Sequence, residues 1–127
     1  MAIEENKAIV RRLFEQALAK GNLEILEELV TADYVDHTPW PGFPPNRDGL
    51  RENMAQVRSA FPDLKIEIKD IIGEGDKVAL RLTTTGTHKG EMAGIPPSGK
   101  PVSITSISIY RIADGKVVES WDANNLS

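Results

Sequence analysis

The sequence predicts an α+β fold: three N-terminal helices packed on a strongly curved antiparallel sheet of about four long strands. The hydrophobic period is helical up to Phe61 and close to two from Leu64 onward. Helices followed by strands, rather than alternating with them, put the helices on one side of an antiparallel sheet. Length supplies the third observation. The 127 residues fit one domain, 1–127, with no linker or internal repeat, and such a chain buries roughly two-thirds of its unfolded surface without a disulfide or metal staple.

In the first segment Ile9, Val10, Leu13, Phe14, Ala17 and Leu18 recur at three- and four-residue spacing, which builds one apolar helix face. Gly21 is a C-terminal stop. Asn22 then offers a cap to a shorter second helix bearing Leu23, Leu26, Leu29 and Val30. Residues 31–46 hold Pro39, Pro41, Pro44 and Pro45 with Tyr34, Trp40 and Phe43, and read as a stiff aromatic loop, either a lid over a pocket or a packed connector. Asn46 caps a third helix whose stripe is Leu50, Met54, Val57 and Phe61, closed by Pro62. Leu64, Ile66 and Ile68 then alternate with Lys65, Glu67 and Lys69, and Val78, Leu80 and Leu82 follow the turn at 73–76. A Gly/Pro-rich connector, 88–101, leads to VSITSISIYRI, which Asp114-Gly115 turns back into VVESWD.

Composition narrows the function. The chain has no cysteine, which removes disulfides, thiolate metal sites and cysteine nucleophiles. Net charge is −4 and the basic residues are scattered, so no nucleic-acid partner is expected. The N-terminus lacks the pattern of a signal peptide, and no apolar run approaches the ~20 residues of a membrane span. The expectation is a cytoplasmic protein without a membrane partner. No G-x-S-x-G, G-x-G-x-x-G or phosphate-loop motif occurs.

The last hairpin carries the chemistry. Alternation puts Ile104, Ser106, Ser108 and Tyr110 on one face of its first strand, and Val118, Ser120 and Asp122 together on its second, with Val117, Glu119 and Trp121 opposite. Such a row of hydroxyls around one carboxylate is either a cavity wall or a solvated face. A carboxylate among apolar and aromatic groups can hold and release a proton near neutral pH, which suits abstraction beside a carbonyl. His37 and His88 are each able to bond a substrate oxygen or relay a proton. Without a close-spaced histidine pair, no metal site is expected.

Several blocks, in order and without large gaps from about residue 5 to the C-terminus, resemble the SnoaL-like polyketide cyclase (ester cyclase) family of the NTF2-like superfamily. They are Tyr34-Val35-Asp36-His37, Arg58 to Leu64 (RSAFPDL), Gly75 to Ala79 (GDKVA), Gly86 to Gly90 (GTHKG), Gly94 to Lys100 (GIPPSGK), and Ile109 to Ile112 leading to Asp114-Gly115-Lys116. The resemblance implies an NTF2-like cone and a homodimer or higher homo-oligomer formed through the sheet. It also implies aldol-type ring closure without metal or organic cofactor, with an aspartate matching Asp122 as acid/base. Where those cyclases carry a histidine on the adjacent strand, this sequence has Ser108. The family often continues past the last strand, whereas this chain stops at Asn125-Leu126-Ser127, which implies a pocket left open at that end or covered by a partner subunit.

The resulting expectation is a cofactor-independent acid/base enzyme acting on a small hydrophobic carbonyl-containing ligand, with ring closure or isomerisation. Asp122 and His37 are the expected catalytic pair. Tyr34, Trp40, Phe43, His88, Ile95, Ile104, Ser106, Ser108 and Ser120 are the expected substrate contacts. A non-catalytic binding protein and an epoxide-opening hydrolase on the same scaffold are the alternatives.

Overall fold

The computed structural model describes residues 2–92 and 94–125. Helix α1 (Ala2–Arg12) continues into a wider π-wound stretch, Leu13–Ala19. A single 3₁₀ turn (Leu23–Ile25) and the one-turn α2 (Leu26–Leu29) follow. Then come β1 (Val30–Asp36), α3 (Arg47–Ala60), β2 (Lys65–Glu74), β3 (Lys77–Thr87), β4 (Pro101–Ala113) and β5 (Lys116–Asn124). The sheet order is β1-β5-β4-β3-β2. All pairings are antiparallel except β1 with β5, which is parallel.

The α+β prediction holds, with helices on one face of a curved sheet. The strand count changes. β1 lies within the segment expected to be loop, and Val30, expected at the end of the second helix, is its first residue. VTADYVD precedes all four prolines, so their effect on backbone conformation does not reach it. Asn22 makes no side-chain cap. Asn46 does cap α3, its side-chain oxygen accepting from the Gly49 amide at 3.0 Å.

The core forms between the helices and the inner sheet face. Val10, Leu13, Phe14, Ala17 and Leu18 are all buried, so the apolar face of the first helix survives the change to π winding. Gly21 ends that helix at φ +77°, in the left-handed region. The Arg58 guanidinium lies over it and donates to the carbonyls of Leu18 (2.8 Å) and Ala19 (2.7 Å), tying α3 to the end of the first helix. A β-carbon at Gly21 would stand 2.7 Å from that guanidinium, so only glycine leaves room for this closure.

Two bulges set which residues face inward. In β2 the pairing shifts between Ile68 and Asp70, so Asp70 meets Arg81 on the exposed face, at 2.6 Å, and Ile71 returns to the core side. Arg81 therefore has Asp70 as its ion-pair partner. In the last hairpin Arg111 pairs with Glu119 but Ile112 pairs with Val117. Val118 is the extra residue. Val117 is thus the buried member of this strand end, together with Ser120, which corrects the simple alternation that grouped Val118 with Ser120.

Candidate active site

A cavity opens between the inner face of the sheet, α3 and the first helix. Its apolar side comes from Phe14, Leu18, Leu50, Met54 and Val57, with Trp40, Phe43 and Pro44 from the segment after β1. Its polar side comes from the sheet: Tyr34, Asp36, Ser106, Ser108, Tyr110, Ser120, Asp122 and Asn124, with Thr38 just beyond β1. The hydroxyl row of the last hairpin is therefore a cavity wall and not a solvated face.

Asp122 stands at the centre of the polar side. Its Oδ1 accepts from the Ser108 hydroxyl at 2.6 Å, and its Oδ2 accepts from the Asn124 amide at 3.0 Å. Its backbone amide donates to the Thr38 hydroxyl at 2.6 Å. Cross-strand register explains the first contact, because Ser108 and Asp122 are directly paired on β4 and β5. Ser108 spends its only proton on Asp122, which leaves its oxygen as an acceptor for the neighbouring buried Tyr110 hydroxyl. Tyr34 and Ser120 form a second hydroxyl pair at 2.5 Å. Burial pushes the Tyr34 and Tyr110 phenols well above their ordinary range, and nearby carboxylates add to the shift, so both remain hydrogen-bond donors at neutral pH.

A second carboxylate enters from β1. Tyr34, Asp36 and Thr38 share one face of that strand and its extension, and all three reach the cavity. Asp36 accepts at Oδ1 from the Thr38 amide at 2.9 Å. Burial, followed by the charge of Asp122, pushes its carboxyl above the usual carboxylate range, against the lowering effect of the Thr38 bond. Among the described residues, no Lys, Arg or His forms an ion pair with Asp36 or Asp122.

The structure therefore gathers Tyr34, Trp40, Phe43, Ile104, Ser106, Ser108, Ser120 and Asp122 around one cavity, as expected from the sequence. It does not bring His37, His88 or Ile95 there. His37 lies on the opposite face of the sheet, its Nε2 2.8 Å from Glu119 and its ring stacked on Trp121 at 4.8 Å. The reason is alternation: with β1 recognised, Asp36 points in and His37 points out. His88 is buried beside Phe61, with ring centres 5.7 Å apart, and its Nε2 has no partner. Ile95 is exposed on the β3–β4 connector. Leu126 and Ser127, where the open end of the pocket was expected, lie outside the described residues. Among those described, no group of three or more His, Asp or Glu is placed to hold a metal ion, and no helix is long and apolar enough to cross a membrane.

Sequence reading missed Asp36, Thr38 and Asn53. The first two were legible as the i+2 and i+4 neighbours of Tyr34 once VTADYVD is read as a strand. Asn53 is the one polar side chain that α3 presents to the cavity, and its amide nitrogen is buried without a partner. Its position in the helical stripe, one turn after Leu50 and beside Met54, was the available signal.

A family model described as SnoaL-like polyketide cyclase matches residues 8–127. The chain belongs to the SnoaL-like polyketide cyclase family. It is 30% identical over 121 residues to the aklanonic acid methyl ester cyclase AcmA of Streptomyces galilaeus, covering 91% of this chain and 81% of that one. Among solved structures it is similar to IdmH of Streptomyces antibioticus, a proposed polyketide cyclase, at 34% identity and a TM-score of 0.80, covering 94% and 91% of the two chains. It is equally similar to AclR of Streptomyces galilaeus, a proposed hydroxylase, at 35% identity and a TM-score of 0.83, covering 98% and 77%. Two different activities at the same distance mean that membership of the family fixes the scaffold and not the reaction.

Proposed function

We propose that this protein is a cofactor-independent acid/base catalyst that removes a proton beside a carbonyl of a small, largely apolar substrate and promotes aldol-type ring closure or isomerisation. The observation that carries this reading is Asp122: a carboxylate at the wall of a mostly apolar cavity, oriented by Ser108 and Asn124 and without a cation to hold it as a spectator anion. The Asp122 carboxylate takes the carbon-bound proton, and the negative charge moves onto the substrate's carbonyl oxygens. Trp40 and Phe43 press the substrate toward the sheet wall, which Ile104 lines beside the hydroxyls of Tyr34, Ser106 and Ser120. The unpartnered Asn53 amide is available to a carbonyl oxygen on the far side. Positioning and general acid/base catalysis together supply the rate, the latter ~10²–10⁴-fold.

The test uses aklanonic acid methyl ester, the compound named for the Streptomyces galilaeus cyclase, in deuterated water. Wild type exchanges carbon-bound hydrogen and forms cyclised product. Asp122→Asn keeps the fold and the binding but loses exchange and turnover. An Asp122→Asn variant that turns over at the wild-type rate removes the assignment. Binding without exchange in wild type points instead to a non-catalytic ligand carrier. Incorporation of labelled water oxygen points to hydrolysis, with the water held by Asp122 and Asn124.

The protein is further proposed to assemble as a homodimer through the outer sheet face. Ile72, Ile107 and Ile109 are exposed there, and the register lines up Ile72, Ala79, Ile109 and Trp121 across four strands. An apolar band of this kind is characteristic of an interaction surface.

A further inference from the structure

We propose that Asp36 is a second proton-transferring group of this cavity, the general acid that works opposite Asp122 on a substrate whose ring closure generates an alkoxide. The proposal rests on the carbon-acid reading above and deepens it: the substrate must carry two carbonyl groups, one activating the carbon that Asp122 deprotonates and one receiving the new bond.

Placement comes first. β1 runs parallel to β5 with Asp36 registered against Ser120, two residues from Asp122, so both carboxylates enter the same cavity from neighbouring strands. Thr38 joins them. Its hydroxyl accepts from the Asp122 amide at 2.6 Å, its own amide donates to Asp36 Oδ1 at 2.9 Å, and its hydroxyl is 3.5 Å from the same oxygen. Among the described residues every hydrogen bond to Asp36 falls on Oδ1, which leaves Oδ2 to the cavity.

Elimination comes second. Ring closure by a single carboxylate requires Asp122 to carry its proton from the carbon to the oxygen of a different carbonyl. The other polar groups cannot take over that delivery. Ser108 is committed to Asp122, Tyr110 to Ser108, and Tyr34 to Ser120. Their hydroxyls are poor acids, and the Asn124 amide, a donor to Asp122, is a still weaker one. His37 is on the other side of the sheet. Asp36 is the remaining titratable group that reaches the cavity. The ionisable groups that act on it are Asp122 from β5 and His37 next in sequence. Only His37 favours its anion, so protonation of one carboxylate while the other is charged is the arrangement the site supports.

The step balances. The Asp122 carboxylate takes the proton from carbon, and the C–H pair becomes the enolate. The enolate carbon bonds to the second carbonyl carbon, and the C=O π pair moves to oxygen. The Asp36 carboxyl gives its proton to that oxygen, leaving a hydroxyl. Asp122 is then protonated and Asp36 ionised, and return of one proton from the first to the second resets the site. Substrate and product are isomers, and no oxidant or reductant is consumed.

Carbon-13 NMR of protein labelled at the aspartate carboxyl carbon tests this directly, with Asp36→Asn and Asp122→Asn used for assignment. The expected result is an Asp36 midpoint above the ordinary ~3.9 of an aspartate, which falls when Asp122 is replaced by Asn. A midpoint at or below the ordinary value, or one indifferent to Asp122→Asn, overturns the proposal. With aklanonic acid methyl ester as probe, Asp36→Asn is expected to keep the hydrogen exchange performed by Asp122 while ring closure falls ~10²–10⁴-fold. Ring closure at the wild-type rate in Asp36→Asn also overturns it. A wild type that neither exchanges nor cyclises defeats the carbon-acid reading instead, and the carbon-13 titration then still decides whether Asp36 holds the proton.

Discussion

Strand β5 carries two carboxylates, Glu119 and Asp122, on opposite faces of the sheet and in opposite company. Outside, Glu119 accepts from Arg111 Nε at 2.5 Å and from His37 at 2.8 Å. Those two bonds, His37 first, hold its carboxyl below the usual range. Inside, among the described residues, the Asp122 carboxylate accepts from a hydroxyl and an amide only, and it shares the cavity with another carboxylate, Asp36, which burial and Asp122 push upward. A carboxylate fixed by cations stays an anion and acts as structure. Two carboxylates in one cavity oppose each other's charge, which together with burial raises the Asp36 carboxyl, a perturbation of the kind acid/base sites use. The outer cluster contains the histidine that the sequence offers for catalysis, and the inner one contains none.

This contrast is open to attack in order of effect. The largest effect is on turnover. Asp122→Asn should lower ring closure of aklanonic acid methyl ester by ~10²–10⁴-fold, whereas Glu119→Gln should leave it unchanged. A comparable loss from both, at equal folded content by circular dichroism, would mean that the two faces are not functionally distinct.

Next is the cost of disturbing the inner network. Ser108→Ala removes a bond to Asp122 and leaves the buried Tyr110 hydroxyl without its acceptor, at a cost of about 1–3 kcal/mol in urea denaturation. The double substitution Ser108→Ala with Tyr110→Phe should recover part of that loss, because no buried hydroxyl is then left unpaired. Absence of recovery would argue against the Tyr110–Ser108–Asp122 chain.

A smaller effect distinguishes the two carboxylates by sign. Asp36 has its folded value raised, so the native state binds more protons than the unfolded chain between the ordinary and the raised value. Its ionisation therefore costs stability above that window and nothing below it. Glu119 has its folded value lowered, so its contribution is present above the ordinary carboxylate range and is lost as pH falls through the folded value. Asp36→Asn should then raise the melting temperature at neutral pH and Glu119→Gln should lower it, with both differences shrinking in acid. Thermal scans between pH 3 and pH 7 check this, and shifts of the same sign would remove the distinction.

The smallest effect on the monomer is outside. Ile109→Lys should change the protomer's own stability by no more than about 0.5 kcal/mol, yet it should shift sedimentation from dimer to monomer if the apolar band on the outer sheet face is the interface. An unchanged sedimentation profile would leave that band without this role.

Much of this molecule is legible in its sequence. The apolar faces of the first and third helices, the Asn46 cap, the Asp114-Gly115 turn and the inward row Ile104, Ser106, Ser108 and Tyr110 all follow from local periodicity and turn chemistry. These are properties of neighbouring residues, and the chain states them directly. Asp122 and its serine companions were found in the same way, since a long regular strand sorts its own faces.

What required the tertiary structure was every relation across distance in the chain. β1 is parallel to β5, 86 residues apart at the Tyr34–Ser120 contact, and no local pattern announces such a pairing. Without it, the sequence offers His37 to the site and passes over Asp36. With it, Asp36 joins Asp122 inside and His37 joins Glu119 and Trp121 outside. The bulge at Val118 likewise arises from pairing with β4, and it decides that Val117 and Ser120 are buried together. Sequence determined the first catalytic candidate and the elements other than β1. Strand pairing, which depends on residues the chain brings together only when folded, decided which acid became its partner.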